Sequence, residues 1–303
     1  MSGPQVAVLA GGRRLHLQHG PIGLIIETWG AAGQREIAHR AAVTRFDSIL
    51  GELVAELPLL KRPCPPRGLG LCGPVARRMQ AAVRPFAAQG CFITAMAAVA
   101  GAVAEEVLEA MLAVADLDKA YVNNGGDIAL HLGPAERFDA AMITLGAMPG
   151  DAGRVRVGAS DPVRGIATSG RHGRSLSMGI ADSVTVLAAG AATADAAATL
   201  LANAVDLPGH PSVERRPASA LVDDSDLDER LVVTRVGVLL PAEIETALER
   251  GAAAGEAMRA AGHIVGAAFF LKGRSKVAGG LGSGATCRRP GALRRERTQS
   301  LHA

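Results

Sequence analysis

Asp195 and Thr199 stand four residues apart, and Gly125-Gly126-Asp127 puts a carboxylate directly after a glycine pair. On a helix, positions i and i+4 share a face, so Asp195 and Thr199 present a carboxylate and a hydroxyl together. Hard oxygen donors of this kind suit Mg²⁺, which shares its shell with phosphates and waters. Glycine pairs let the backbone pass close to a ligand and turn N–H groups toward phosphate oxygens. Asp127 beside them can accept hydrogen bonds from a ribose or a base, help hold a cation, or cap a turn. Thr168-Ser169-Gly170 adds two hydroxyls at what reads as a tight turn. Together the three segments suggest a nucleotide bound through its diphosphate, with a magnesium ion bridging.

Other side chains near these segments have less defined roles. Nothing in the sequence locates a base beside Ser169. His172 follows it by three residues and could serve, or lie at the surface. Arg171 and Arg174 flank His172 and could clamp phosphate. Glu105 and Glu106 read as a solvated helix face, with Glu105 also a candidate ligand contact. Asp195 could instead face solvent or cap its helix after Gly190.

These residues need strands and helices to hold them. Periodicity predicts short N-terminal strands at Val6–Leu9, Arg14–Gln18 and Gly23–Thr28. Helices are expected over Gln34–Leu57, with an apolar stripe at Ile37, Ala41, Phe46, Ile49, Leu50 and Leu53, then over Pro74–Ala87 and Ile93–Leu117. The glycine pair falls within an expected strand Ala120–Leu132. A strand at Ala140–Ile143, a loop at Pro149–Gly153 and strands at Ile166–Ser169 and Val184–Ala188 follow. A helix is expected over Ala191–Val205, a strand over Val232–Leu239 and a helix over Pro241–Ala261, which Pro241 can begin. Val265–Leu271 reads as a final buried strand.

With 303 residues and 49% hydrophobic content, the chain can bury a sizeable core. Aromatics are only 3%, with one Trp and one Tyr, which argues against single-strand nucleic-acid binding through stacked bases. The net charge of +3 is local. Five arginines against Glu296 give residues 279–303 a charge of +4, leaving −1 on the rest. That basic stretch lacks apolar periodicity and is expected to be a disordered tail, with residues 1–278 one domain or two packed lobes. Cys64, Cys72, Cys91 and Cys287 follow neither metal-finger spacing nor a disulfide framework. No secretory core or membrane span is evident, so a cytoplasmic setting without membrane contact is expected.

The order of the three motifs resembles the ApbE-like superfamily, whose best-known members are flavin transferases. Asn124 to Asp127 looks like that family's Gly-Gly-Asp strand, Thr168 to Gly170 its Thr-Ser-Gly turn, and Ala194 to Thr199 its Ala-Asp-x-x-x-Thr metal helix. Two stretches differ from the family pattern. Ala100-Gly101-Ala102-Val103-Ala104-Glu105 stands where transferases have Lys-Gly-x-x-x-Asp, and Arg174–Asp182 lacks a His-Ile-Ile-Asp-Pro-like segment. The resemblance implies an α+β fold, a two-lobed mixed sheet with packed helices. It implies FAD and Mg²⁺ as cofactors, with Asp195 and Thr199 as metal ligands. Asn124, Gly125, Gly126, Asp127, Thr168, Ser169, Gly170 and Glu105 would contact the flavin nucleotide. The implied reaction moves FMN from FAD to a Thr or Ser of an acceptor protein, with Asp127 or His172 as base. Alternatives are a flavin- or nucleotide-binding protein without catalysis, or a metal-dependent enzyme acting on another phosphorylated or carboxylated metabolite.

Overall fold

Leu15 and Leu17, Leu24 and Ile26, and Ala120 and Val122 are buried at period-two spacing, so successive strands turn one apolar face the same way. The computed structural model describes residues 3–9, 12–144 and 150–280. Its strands in chain order are β1 (Gln5–Val8), β2 (Arg14–His19), β3 (Ile22–Trp29), β4 (Lys119–Asn124), β5 (Asp127–Leu132), β6 (Arg137–Thr144) and β7 (Gly150–Gly158). They continue as β8 (Gly165–Ser169), β9 (Ser183–Ala188), β10 (Val213–Pro217), β11 (Leu231–Val236), β12 (Gly266–Leu271) and β13 (Arg274–Gly279). Nine of them form one sheet in the order β1-β2-β3-β4-β5-β8-β9-β12-β13. Each pairing along it is antiparallel. β6 with β7, and β10 with β11, form separate two-stranded ribbons.

Among the described residues five α-helices, α1 (Ala32–Leu60), α2 (Pro74–Ala88), α3 (Val99–Leu112), α4 (Ala191–Ala204) and α5 (Pro241–Ala260), complete the α+β fold. The helices and one sheet face share a single apolar core. The opposite face, through Leu130, Leu132, Ile166, Leu187, Ala268 and Phe270, is covered by Met142, Val155 and Val157 of the β6–β7 ribbon. Among the described residues no helix is long and apolar enough to cross a membrane.

α4 owes its position to its composition. Eight of its residues are buried, seven of them alanines. A Cβ on Gly101 of α3, or on Gly165 of β8, would collide with backbone at Gly190–Ala192. Alanine and glycine therefore let α4 lie in backbone contact with both the sheet and α3. On α3 a salt-bridge network draws in its neighbours: Arg78 of α2 reaches Glu105 and Glu106 at 3.2 Å, and Arg45 of α1 reaches Glu106 at 2.9 Å.

Several sequence expectations change. The expected strand Ala120–Leu132 is a hairpin, β4 and β5, broken at the glycine pair. The long helix over Ile93–Leu117 is shorter: Thr94 bridges Pro63, Ala95–Ala98 is a 3-10 turn, and α3 starts at Val99. Part of the expected loop Pro149–Gly153 is strand from Gly150 onward. Val265–Leu271 is not the last strand, because the turn at Lys272 and Gly273, both at positive φ, leads into β13. β10 and β13 are polar strands without the apolar runs that marked the others. Of the expected disordered tail over residues 279–303, Gly279 instead ends β13, and residues 281–303 lie outside the described residues.

Candidate functional site

The sheet has a seam. β5 and β8 share only two register pairs, Ile128↔Ile166 and Ala129↔Gly165, whereas β4 and β5 share six. The pairing stops short of Asp127 and Thr168, which lie just beyond those two pairs. There the Thr168 N–H donates to Asp127 Oδ1 at 3.2 Å, a side-chain acceptor standing where a ladder carbonyl would be.

Gly125 and Gly126 form the two-residue turn that ends β4 and starts β5, with φ of +68° and +116°. Positive φ at both central residues matches the twist of a tight hairpin, and the second value is one that L side chains rarely adopt. Asn123 Oδ1 accepts from the Gly126 N–H at 2.8 Å and closes the turn. Gly126→Ala meets no atom within 4 Å, so its cost is conformational alone. We expect it to destabilise by about 1–2 kcal/mol, read as a melting temperature a few degrees lower. An unchanged melting temperature would mean that the turn does not hold this conformation.

The seam is closed from the helix side by the start of α3. Asn124, buried, donates from Nδ2 to the Ala100 carbonyl at 3.1 Å. Asp195 of α4 accepts from the Gly101 N–H through Oδ2 at 3.0 Å, and the neighbouring Ala100 amide also favours its charge. These amides belong to the first turn of α3 and lack intrahelical partners, so Asp195 fills the role of an N-terminal cap for a neighbouring helix. It neither caps its own helix after Gly190 nor points away into solvent.

Two carboxylates thus converge at the seam. Burial pushes Asp127 up to about 7, opposed by the Thr168 N–H and the positive charge of Arg174. Burial raises Asp195 well above the usual carboxylate range, and repulsion from Asp127 raises it further against the pull of the α3 amides. Asp127 Oδ2 has no hydrogen bond among the described residues, so one oxygen is fixed by backbone while the other stays available. A cation between the two would neutralise the repulsion and stabilise both ionised forms. The Thr199 hydroxyl, one turn along α4, also has no hydrogen bond among the described residues. The described residues contain no group of three or more His, Cys, Asp or Glu able to hold a metal. Donors beyond the two aspartates would therefore be hydroxyl, backbone carbonyl, water or ligand oxygens, the mixed shell that Mg²⁺ takes.

The remaining expected residues divide. Thr168 stays at the seam, its Oγ1 2.9 Å from Oγ1 of the buried Thr185. Thr185 escaped sequence reading because it sits inside an apolar strand. Ser169 ends β8, and its hydroxyl has no hydrogen bond among the described residues. Gly170, at φ +155°, lies so close to the Asp182 carbonyl that a Cβ would stand 2.5 Å from its oxygen. His172 is drawn elsewhere: its Nε2 lies 3.3 Å from Asp182 Oδ1 without hydrogen-bond geometry. Glu105 is also engaged away from the seam. Its Oε1 accepts from the Ala192 N–H at 3.1 Å and its Oε2 from Arg78 at 3.2 Å, so it caps α4 and ties α2 to α3. Asp182 was missed as an anchor. It takes Arg171 Nε at 3.0 Å and the Lys272 N–H at 2.6 Å, a role visible only after β12 and β13 are placed.

Comparison with known proteins bears on this geometry. The family described as AbpE bacteria matches residues 6–277. The chain belongs to that family. This agrees with the ApbE-like superfamily expected from the three motifs. The seam lies wholly inside the matched residues. The UPF0280 protein of Methanothrix thermoacetophila is 32% identical over 201 residues, covering 65% of this chain and 79% of that protein. The UPF0280 protein of Methanopyrus kandleri is 33% identical over 217 residues, covering 69% and 79%. Neither name states an activity. The apo crystal structure of Pseudomonas stutzeri flavinyl transferase ApbE aligns over 92% of this chain and 96% of its own. Its identity is 13% and its TM-score 0.40, too low to carry an argument about this site.

Proposed function

We propose that the chain is a flavin-nucleotide-binding protein that holds the diphosphate of FAD through a Mg²⁺ ion at Asp127 and Asp195. The observation that supports it is the convergence of these two carboxylates, both raised by burial and with an Asp127 oxygen left without a partner. Thr199 is the hydroxyl we assign to the same ion, one helical turn from Asp195. Asn124, Gly125, Gly126, Thr168, Ser169 and Gly170 then form the walls around the ligand. Glu105 contributes indirectly, by fixing the starts of α3 and α4 relative to each other. When bound, the ion would offset phosphate charge and orient the diphosphate. FAD titrated by calorimetry into the purified protein tests this, with Mg²⁺ and then with EDTA. Binding that requires Mg²⁺ supports the proposal; binding of equal strength in EDTA overturns the role of the two aspartates.

A second reading adds transfer of FMN from FAD to an acceptor protein. The acceptor Thr or Ser oxygen would attack the flavin-side phosphorus, the bond to the bridging oxygen would break, and AMP would leave. The hydroxyl proton would pass to the Asp127 carboxylate, whose Oδ2 has no hydrogen bond among the described residues. His172 is the poorer candidate because of its place against Asp182. AMP release from FAD in the presence of an acceptor separates this reading from binding alone.

A further inference from the structure

Three side chains with cationic or ring nitrogens follow the Gly170 turn, and the structure separates their roles. Arg171 donates to Asp182 Oδ1 from Nε at 3.0 Å and from Nη2 at 2.6 Å. His172 lies against the same carboxylate. Arg174 is exposed and has neither a hydrogen bond nor an ion pair among the described residues. Its position is nevertheless constrained. The Arg171 N–H donates to the Ala181 carbonyl at 3.0 Å, and the Gly173 N–H donates to the Gly170 carbonyl at 3.0 Å. These bonds pin the start of the loop and leave Arg174 at its tip.

The guanidinium lies over the β4–β5 turn. A Cβ on Gly125 would meet Arg174 Nη2, so a side chain there would push the guanidinium from this place, while glycine also suits the φ of +68°. The neighbouring Gly126 is different, because a Cβ there would meet nothing within 4 Å. Open space therefore adjoins an unpaired guanidinium at the mouth of a seam that carries two carboxylates. Those carboxylates would repel an anion, so an anionic ligand needs positive charge at the entrance as well as between the aspartates. A guanidinium matches phosphate oxygens with two parallel N–H donors, and it remains charged at any working pH.

Building on the nucleotide reading above, we infer that Arg174 is a phosphate-binding residue, gripping the diphosphate of the ligand over the Gly125–Gly126 turn. The ligand class is a nucleoside diphosphate or a dinucleotide joined through one. Gly125 is then a specificity-determining position, because a side chain there would displace the arginine. Arg171 has no such role, being the fixed base of the loop.

The test is calorimetry with three probes, FAD, inorganic pyrophosphate and riboflavin, each with Mg²⁺. The proteins are the wild type, Arg174→Gln, and Arg156→Gln as a control for net charge. Arg156 pairs with Asp139 on the β6–β7 ribbon and takes no part in the seam. We expect Arg174→Gln to weaken FAD and pyrophosphate by at least about tenfold and leave any riboflavin binding unchanged. Arg156→Gln should match the wild type. Equal FAD affinity in wild type and Arg174→Gln would overturn the inference while leaving the aspartate site standing. Pyrophosphate binding that Arg174→Gln loses, with no binding of FAD by either, would support Arg174 and overturn the flavin reading. Failure of the wild type to bind either phosphate probe would overturn both.

Discussion

Asp195→Asn is expected to lower the affinity for FAD in Mg²⁺ by about a hundredfold or more while leaving the fold intact. The choice of Asn matters. Its side-chain oxygen can still accept the Gly101 N–H, so the cap on α3 is retained and only the charge is lost. Removing a ligating charge from a cation with few protein donors removes most of its binding energy. The same substitution relieves the repulsion between Asp195 and Asp127. The ligand-free variant should therefore melt no lower than wild type at about pH 8. Asp195→Ala would behave differently, because it also strips the α3 amides of their partner. Calorimetry and thermal melting on both variants separate the two roles of this aspartate. Undiminished FAD affinity in Asp195→Asn would remove it from the site.

The second large effect is a stability profile that falls with rising pH. An aspartate in an unfolded chain titrates near 3.9, whereas in the native protein burial holds Asp127 at about 7. Between those values the native state binds more protons than the unfolded state, so stability falls as pH rises through that window. Above the folded value the penalty is fully present. Its size is on the order of a few kcal/mol, since each tenfold change in proton affinity corresponds to about 1.4 kcal/mol. Asp195, raised in the same direction, adds to it. The ligand-free protein should therefore resist urea better at about pH 5 than at about pH 8, and Asp127→Asn should flatten the profile. Cation binding requires both carboxylates ionised, so the stabilisation by Mg²⁺ should be largest at the alkaline end. A ligand-free protein equally stable at both pH values would show that the two aspartates do not sit together as described.

The sequence was most legible where periodicity was clean. α1 and α2 lie close to their expected limits because Phe46, Ile49, Leu50 and Leu53, or Val75, Met79, Val83 and Phe86, mark one buried face. The glycine pair was read correctly as special but placed inside a strand. Apolar residues continue on both sides of it, and no pattern distinguishes one long strand from two short ones joined by a tight turn. The helix from Ile93 was overextended because alanine-rich sequence suits a 3-10 turn as well as an α-helix. Within the site, the part carried by local spacing was visible: Asp127 and Asp195 stand out from their neighbours. What joins them was not. The α3 amide of Gly101 that bonds Asp195 lies 94 positions away in the chain, and the Thr168 N–H that bonds Asp127 lies 41 away. Glu105 could not be separated from a ligand contact by sequence, because capping of α4 and contact with a nucleotide both call for a carboxylate near that helix end.

The order of strands in the large sheet follows the order of the chain, with the two ribbons as the only departures among the described residues. Each ribbon departs from the sheet and the chain then returns to it, but the β6–β7 ribbon also covers the apolar face of the strands that flank the seam, at Leu130 and Ile166. The first and last strands, β1 and β13, stand at opposite edges. Eight inter-strand spacings put them about 40 Å apart along a flat sheet, somewhat less once the sheet twists. About a dozen extended residues would be needed to span that distance directly between the two strands. Fluorescent labels placed on these two strands would form a molecular ruler across the whole sheet, one whose length changes if ligand binding opens or closes the seam between β5 and β8.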